Sequence, residues 1–446
     1  MFRRLVMLAL VSAVSAFAQT DIPTTPAGTV LSAWLAAFNS GDHAKLAAYS
    51  KTYDPKHPDD FVASEGFQQQ TGGFDLLGID DSEPRSITFR VKEKNSPTVA
   101  VGHIQVTDSQ PVTVERFSMN AIPPGTKVED VKLDAAERQR VIDGAIALLK
   151  EYYVDPPVAQ KMANAVQEHD KKGEYASFTD GGAFAAQLTD DFQAVSHDRH
   201  LHVNYAPYKL PPDREGPPSP EDQARFRKDM QRHNCGFEKV EILSGNIGYV
   251  KFNMFAPANV CGDTVAYAMG FVAHSDAVIF DLRDNGGGDP HMVSLVASYL
   301  FDQPTHLNDL YDRQKNQTTQ YWTASYLSGD RMAKQPIYVL TSKRTFSGGE
   351  EFCYDLKTQK RATLVGETTG GGAHPVAGHR IDDHFRIGVP FAHPINPITK
   401  LDWEGTGVTP DVAVSAADAL DTAKKLAAAK IHEPPAPPAN STAPGK

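Results

Sequence analysis

The spacing of hydrophobic residues divides the chain into predicted segments. Residues 30–38 (VLSAWLAAF) have apolar side chains at helical intervals, and a second short helical stretch follows at 44–49. Three later runs alternate apolar and polar residues, as strands with one buried face do: 86–92, 98–106 and 112–119. Helices followed by strands predict a small α+β domain over residues 24–122.

A different pattern begins after the Pro-Pro-Gly sequence at 123–125, which predicts a linker. Residues 134–195 have largely helical spacing, whereas 209–221 is proline-rich and predicts a loop. From Val240 onward, short apolar strands alternate with helical stretches. Continuously apolar strands in a β-α-β order predict a largely parallel sheet covered by helices.

The two ends of the chain have compositions of their own. Residues 1–18 combine basic residues, a short apolar run and an A-x-A site, which predicts a secretory signal peptide cleaved near Ala18. The apolar run is too short to span a bilayer, and no cysteine follows the site for lipid attachment. We therefore expect an exported protein, periplasmic or extracellular, without a stable membrane anchor. Residues 427–446 are rich in Ala, Pro and Ser and predict a disordered tail.

The overall composition is that of a globular protein, with 22% charged and 41% hydrophobic residues. The formal net charge of −11 argues against a nucleic-acid partner, which requires a basic surface. The three cysteines are too widely spaced, and odd in number, for a metal cluster. In an exported protein Cys235 and Cys261 are expected to pair, because Cys353 lies in an apolar helical pattern.

Ser347 is a candidate nucleophile. The apolar strand 337–341 precedes it, and a helical pattern starts directly after it. Such a turn places a hydroxyl at the carboxyl edge of a sheet, beside the positive end of a helix dipole. The free N–H groups of a helix N-terminus suit an oxyanion. The alternative is structural, because Ser347-x-x-Glu350 is also a capping box, in which the serine only satisfies the helix end.

A run of glycines follows another apolar strand. Residues 277–290 (AVIFDLRDNGGGDP) contain three successive glycines, whose backbone can approach a substrate closely and leave N–H groups free. Their spacing matches neither of the nucleotide-phosphate motifs. The alternative is a tight turn, in which Asp289 caps the next helix and Pro290 occupies its first position.

Two further segments carry titratable candidates. In SHDRHLHV, residues 196–203, His200 and His202 are predicted on one face of a strand, as metal ligands, structural residues or a general base. No third metal ligand is evident from the sequence, so no metal is expected. In the glycine-rich loop 402–411, Glu404 is either the acid that orients an imidazole in a triad or a solvated loop acid.

The amino-acid sequences of these four segments, and their order in the chain, resemble those of the tail-specific serine peptidases. That family includes the C-terminal processing peptidases, the tricorn protease core and the repeats of interphotoreceptor retinoid-binding protein. The resemblance covers residues 134–415 and rests on the DLRxNxGG and SGGEEF sequences, while DRHLHV looks closest to the retinoid-binding-protein-like branch. It implies an α/β fold with a mostly parallel or mixed, crotonase-like sheet over 236–416. A helical part over 130–205 and the small α+β domain would precede this core.

Two branches of the family use different bases, and the sequence discriminates between them. Processing peptidases pair the serine with a lysine, but residues 366–372 (GETTGGG) carry glycine at that place. The tricorn-like branch uses an upstream histidine and a downstream glutamate. The resemblance therefore implies Ser347 as the nucleophile, His200 as the base and Glu404 as the orienting acid.

The resemblance also implies an oxyanion hole and two departures from the family pattern. The N–H groups of Gly348 and Gly287 would form the hole, with Gly288 as the alternative to Gly287. Arg199 stands where the tricorn core has a serine beside its histidine, so the tetrad of that branch is not implied. The interval 203–242 is too short for the PDZ-like domain of the processing peptidases.

Together these observations predict an exported serine endopeptidase that acts on peptides or proteins through an acyl-enzyme and needs no cofactor. Two alternatives remain open. One is a non-catalytic protein that binds apolar ligands on the same scaffold, and the other is a non-peptide acyl hydrolase such as an esterase. The N-terminal domain resembles the nuclear-transport-factor-like superfamily, as a binding module or as a spacer. The sequence leaves the oligomeric state open.

Overall fold

The computed structural model describes residues 21–55, 67–123, 125–129, 133–212 and 216–432. The chain forms two compact units, which divide after Asp130. The predicted signal peptide at 1–18 lies outside the described residues, as do residues 433–446 of the predicted tail. Within the described ranges, no helix is both long and apolar enough to cross a membrane.

The N-terminal unit packs two helices on an antiparallel sheet. Helices α1 (Pro26–Ser40) and α2 (His43–Tyr53) come first. Four strands follow and pair in chain order: β1 (Phe74–Ser82), β2 (Ser86–Glu93), β3 (Val99–Val106) and β4 (Val114–Ile122). The rings of Trp34 and Phe38 stack on Phe74 in the core. The predicted sequence of helices and then strands is confirmed.

The second unit contains the remaining elements. In chain order they are α3 (Ala135–Tyr152), α4 (Pro156–Lys171), α5 (Gly181–Ser196), β5 (His202–Tyr205), α6 (Pro220–Arg232), β6 (Phe237–Leu243), β7 (Ile247–Phe252), α7 (Ala258–Val272), β8 (Ala277–Asp281), α8 (Pro290–Ser298), β9 (His306–Asp312), β10 (Gln317–Trp322), β11 (Ile337–Thr341), α9 (Gly348–Thr358), β12 (Thr363–Gly366), β13 (Val376–Arg380), β14 (Phe385–Pro390), β15 (Ala392–Ile395), β16 (Val412–Ala413) and α10 (Ala419–Ile431).

A six-stranded sheet in the order β16-β12-β11-β8-β7-β6 forms the centre of this unit. All of its pairs are parallel except β6 with β7. Successive side chains of β8 alternate between two cores: Val278 and Phe280 pack with α7, α8 and α9, whereas Ala277 and Ile279 pack with α10. Helices therefore cover both faces, which is why every residue of β8 and β11 is buried. The predicted covered, largely parallel sheet is confirmed.

The second unit also contains two three-stranded sheets. Strands β13, β14 and β5 pair in that order and pack against α3, α4 and α5 through a core that includes Phe184, Phe192 and Phe385. Strands β10, β9 and β15 form the other sheet. The helical spacing that predicts α3 to α5 is confirmed. Each of these helices begins after an aspartate that caps its first turn: Asp134, Asp155 and Asp180.

Two local predictions are wrong. The tail was expected to be disordered from Ala427, but residues 427–431 belong to α10, and Ala427 is fully buried against the sheet. The alanines that make this stretch look featureless are helix formers that pack closely on an apolar face. His200 and His202 were expected on one face of a strand, but β5 begins at His202, and His200 lies in the turn before it.

The pairing of Cys235 with Cys261 is confirmed, and Cys353 is a buried free thiol in α9. The bond joins the segment before β6 to α7 across 26 residues. Replacing both paired cysteines by alanine removes a constraint on the unfolded chain, and we expect the free energy of unfolding to fall by about 2–4 kcal/mol. Urea unfolding of the parent and the double variant measures this loss.

A reducing agent provides the control for that experiment. It should destabilise the parent by a similar amount and leave the double variant unchanged. An equal response of both proteins to reduction would contradict a stabilising role for this bond.

Candidate active site

Ser347 lies in a strained turn between β11 and α9. Its φ of 52° and ψ of −123° are unusual for a residue with a side chain, and such strain costs about 1–3 kcal/mol and is concentrated at functional sites. The Ser347 N–H donates to Glu350 Oε2 at 2.9 Å, which is one half of the predicted capping box. The Glu350 N–H donates to the Ser347 carbonyl oxygen at 2.8 Å, so the hydroxyl is at most a secondary acceptor there. Capping therefore leaves the hydroxyl largely available.

The glycine run lies directly against the Ser347 turn. The loop that follows β8 meets the loop that follows β11 through a hydrogen bond from the Phe346 N–H to the Asn285 carbonyl oxygen, at 3.0 Å. A methyl group at Gly287 would lie 2.6 Å from Ser347 Cβ, and φ at Gly287 is 97°. Only glycine allows this approach, which explains one of the three glycines.

Two backbone N–H groups beside Ser347 are unoccupied. A methyl group at Gly348 would lie 3.0 Å from the Gly288 nitrogen, so these two amides are neighbours. In the part of the chain that the structure describes, neither N–H has an acceptor. The Gly287 N–H, by contrast, donates to Asn285 Oδ1 at 2.9 Å. The geometry therefore favours Gly288 over Gly287 as the partner of Gly348 in an oxyanion hole.

Glu350 connects the Ser347 turn to the loop that follows β12 through hydrogen bonds. Its buried carboxylate accepts hydrogen bonds from the N–H groups of Gly371 and Gly372, at 2.7 and 2.8 Å, and from the Thr369 hydroxyl, besides the Ser347 N–H. Burial raises the pKa of Glu350, and these four donors oppose that rise. The residue that the sequence predicts as part of a helix cap therefore links two segments of the site.

His200 approaches the same turn from the helical part of the unit. Its ring packs on Phe346 with 4.6 Å between the centroids, and a methyl group at Gly372 would lie 2.8 Å from its Cε1 atom. Burial lowers the pKa of His200 to about 4, although the charge of Asp198 opposes this shift. The imidazole is therefore neutral at neutral pH, as a general base must be. Its Nδ1 atom is buried and has no hydrogen-bond partner among the described residues.

Glu404 has one occupied and one open carboxylate oxygen. Oε2 accepts from the Ala373 N–H at 2.6 Å and from the His374 N–H at 3.2 Å. Oε1 is buried and has no partner within the described ranges. Burial and the neighbouring charge of Asp198 raise the pKa of Glu404 to about 7. The imidazole in contact with this carboxylate is that of His374, whose Nδ1 lies 3.6 Å from Oε2.

A buried cluster around His374 adds residues that the sequence analysis did not single out. His374 Nδ1 lies 2.7 Å from Asp198 Oδ2, which also accepts from the Tyr153 hydroxyl at 3.2 Å. The negative charges of Glu404 and Asp198 raise the pKa of His374 against the effect of burial. Ligand atoms of Asp198, His374 and Glu404 lie within 4.8 Å of one another, so among the described residues these three form a group that could hold a metal ion. Their mutual ion pairs account for the cluster without one.

One cavity of about 440 Å³ collects most of the predicted site residues. Ser347, Gly348, Gly288 and His200 line it, whereas Glu404 does not. The remaining wall is mainly apolar: Pro290, Leu310, Phe346, Ala373, Pro375, Val376, Pro394 and Trp403. The structure thus brings together the predicted nucleophile, base and one amide pair. The predicted acid lies behind them, next to His374.

A covered α/β sheet that presents a serine, a neutral histidine and two free amides at one cavity defines the class of serine hydrolases. Residues 246–414 match peptidase family S41, and residues 131–233 match the N-terminal domain of peptidase S41 in eukaryotic IRBP. Over these two segments the chain is similar to the serine-type peptidases of family S41. The resemblance inferred from the sequence is confirmed.

The chain also shows similarity to curated proteins and to solved structures. It is 29% identical over 171 residues to a carboxyl-terminal-processing protease of Synechocystis sp., covering 38% of each chain. It is 27% identical over 179 residues to carboxyl-terminal-processing peptidase 2, chloroplastic, of Arabidopsis thaliana, covering 38% of this chain and 32% of that protein. The matched region therefore spans only about a third of the length of these relatives. The structure of the photosystem II D1 C-terminal processing protease has 16% identity and a TM-score of 0.39, over 63% of this chain and 93% of that one.

Proposed function

We propose that this protein is a serine endopeptidase that hydrolyses peptides or proteins through an acyl-enzyme on Ser347. The observation that carries the proposal is the shared cavity, in which Ser347, His200 and the free amides of Gly288 and Gly348 all lie. Nucleophile, base and oxyanion donors are the groups that acyl transfer requires. The strained backbone at Ser347 supports a functional rather than a capping serine.

The proposed reaction has two halves. Ser347 Oγ bonds to the carbonyl carbon while His200 takes its proton, and the amides of Gly288 and Gly348 stabilise the oxyanion that forms. The C–N bond then breaks as the imidazolium returns the proton to the leaving amine. Water next attacks the acyl-enzyme, again giving a proton to His200, and releases the acid and the free serine. No cofactor enters either half.

Glu404 is the proposed orienting acid. Two buried atoms support this role, since His200 Nδ1 and Glu404 Oε1 each have an unfilled hydrogen-bonding position in the described residues. A hydrogen bond between these two atoms in the substrate complex would fill both positions. Asp198 is the competing acid, because its charge raises the pKa of His200 and its carboxylate accepts from the His200 backbone N–H at 3.0 Å.

Labelling of the purified protein by a fluorescent fluorophosphonate tests the proposal. This probe reacts covalently with activated serines, so we expect one labelled site, identified as Ser347 by mass spectrometry of the tryptic peptides. Folded protein that stays unlabelled would overturn the proposal in favour of an apolar-ligand-binding protein. Labelling with turnover of a simple ester but of no denatured protein would favour the esterase alternative.

The pH profile separates the roles of His200 and Glu404. His200 must be neutral to act as a base, so kcat/KM should be lost as the pH falls through about 4. Glu404 is ionised only above about pH 7. As the pH falls, its orienting charge should therefore be lost before His200 is protonated, and kcat/KM should show a separate upper step near pH 7. We expect Glu404→Gln to lower the plateau by about 10²–10⁴-fold and to abolish the upper step while the lower one stays. An upper step that persists in Glu404→Gln would assign that ionisation to another group, such as His374, whose pKa is also raised.

Export to an oxidising compartment is part of the proposal. The bond between Cys235 and Cys261 supports it, because structural disulfides persist outside the reducing cytosol. The signal-peptide pattern at residues 1–18 points the same way. Secretion of a tagged chain, with N-terminal sequencing of the mature product, tests both.

A further inference from the structure

The cavity beside Ser347 has a polar floor that the proposed chemistry does not use. Glu351 of α9 and Asn308 of β9 line this cavity together with Ser347. Glu351 lies one helical turn after the nucleophile, and its N–H donates to the Ser347 carbonyl oxygen at 2.9 Å. Glu351 is therefore fixed in position relative to Ser347.

Both floor residues are deeply buried and present acceptors. Asn308 is 0% exposed and Glu351 is 5% exposed. Asn308 donates from Nδ2 to Glu351 Oε1 at 3.2 Å, and its Oδ1 atom is buried with no partner in the described part of the chain. An acceptor left unpaired at 0% exposure is costly unless a ligand supplies the donor.

The charge around the floor has one sign. Burial and the nearby carboxylate of Asp289 raise the pKa of Glu351, whose acidity is also linked to that of buried Asp355. None of the salt bridges found among the described residues involves Glu351. A ligand cation would stabilise the ionised form of Glu351, which burial otherwise disfavours. The apolar part of the same cavity lining, which includes Pro290, Leu310 and Val376, suits the methylene stem of a long side chain.

We propose that Glu351 and Asn308 form the floor of a specificity subsite for a substrate side chain that ends in a cation, that is, a lysine or arginine next to the scissile bond. This inference rests on the proposed function, since a subsite for the scissile residue requires Ser347 to be the nucleophile. The ammonium or guanidinium group donates to Glu351 and to Asn308 Oδ1, and the stem packs on the apolar wall.

A pair of matched inhibitors tests the subsite. Two peptidyl diphenyl phosphonates are compared that differ only in having a lysine or a norleucine side chain next to phosphorus. The rate at which each blocks fluorophosphonate labelling is measured for the parent and for Glu351→Gln. We expect the lysine compound to react at least about 10-fold faster with the parent, because the norleucine compound leaves buried acceptors unpaired. Glu351→Gln should bring the two rates close together.

Two further variants complete the experiment. Asn308→Leu removes the second acceptor and should reduce the preference for the lysine compound over the norleucine compound. Glu168→Gln removes a charge from an exposed pair with Lys172 and should leave the preference unchanged.

The outcomes distinguish the subsite from the proposed function. Fluorophosphonate labelling of both proteins, with equal rates for the two phosphonates or a preference that survives in Glu351→Gln, overturns the subsite and leaves the serine mechanism intact. A parent that no fluorophosphonate labels overturns the proposed function and the subsite with it.

Discussion

Replacing Ser347 by alanine should lower kcat/KM for peptide hydrolysis by about 10⁶-fold, the order seen when the nucleophile of a serine peptidase is removed. The hydroxyl is the only part of the side chain that the substitution deletes. No covalent intermediate can then form, and water must attack the substrate directly. Hydrolysis of a quenched fluorescent peptide by parent and variant measures the loss, and fluorophosphonate labelling should disappear in parallel.

Stability and background activity need separate controls in this comparison. Ser328→Ala changes an exposed serine whose backbone carbonyl accepts from the Tyr299 hydroxyl, and it should retain parental activity. Ser347→Ala should unfold at about the same urea concentration as the parent, because alanine keeps the Cβ atom that causes the strain at φ 52°. A variant that folds and still cleaves at the parental rate would remove Ser347 from the mechanism.

Replacing His200 by alanine should cost a similar factor, about 10⁶-fold in kcat/KM, because nucleophile and base act as a unit. The physical reason is that an alcohol is a poor nucleophile until a base accepts its proton in the transition state. The double variant with Ser347→Ala should be no worse than either single variant. Steady-state kinetics of the three proteins at pH 8 measures this non-additivity.

His374 provides the decisive comparison for that prediction. It lies next to Asp198 and Glu404 but does not line the Ser347 cavity, so His374→Gln should lose much less activity than His200→Ala. His274→Ala, at a ring that is 87% exposed, controls for the loss of a histidine as such. If His374→Gln were inactive and His200→Ala active, the base would be His374 and the cluster around it would be the catalytic one.

Local patterns in the sequence were sufficient for the covered sheet, for the helices before it and for the start of α9 at Gly348. The physical reason is that the spacing of apolar residues along the chain determines whether a strand or a helix face is buried, as in 277–281 and 337–341. The pairing of Cys235 with Cys261 was equally accessible, because only two cysteines lay outside an apolar helical pattern. The Ala-rich composition of residues 427–431 predicts disorder, but these residues are helical and Ala427 is buried against the sheet.

Tertiary structure alone decided which side chains meet. Asp198 and His374 are in contact although they are 176 residues apart in the chain. Asp198 lies in a turn and His374 follows a glycine-rich loop, and the spacing of residues along the chain does not predict such a contact. Asn308 and Glu351 come together from a strand and a helix 43 residues apart. The choice between Gly287 and Gly288 depended on which N–H the Asn285 side chain occupies. The sequence determined the elements and the candidate nucleophile, because these depend on neighbours along the chain. The partners of each polar group follow from packing between distant segments, which local periodicity does not encode.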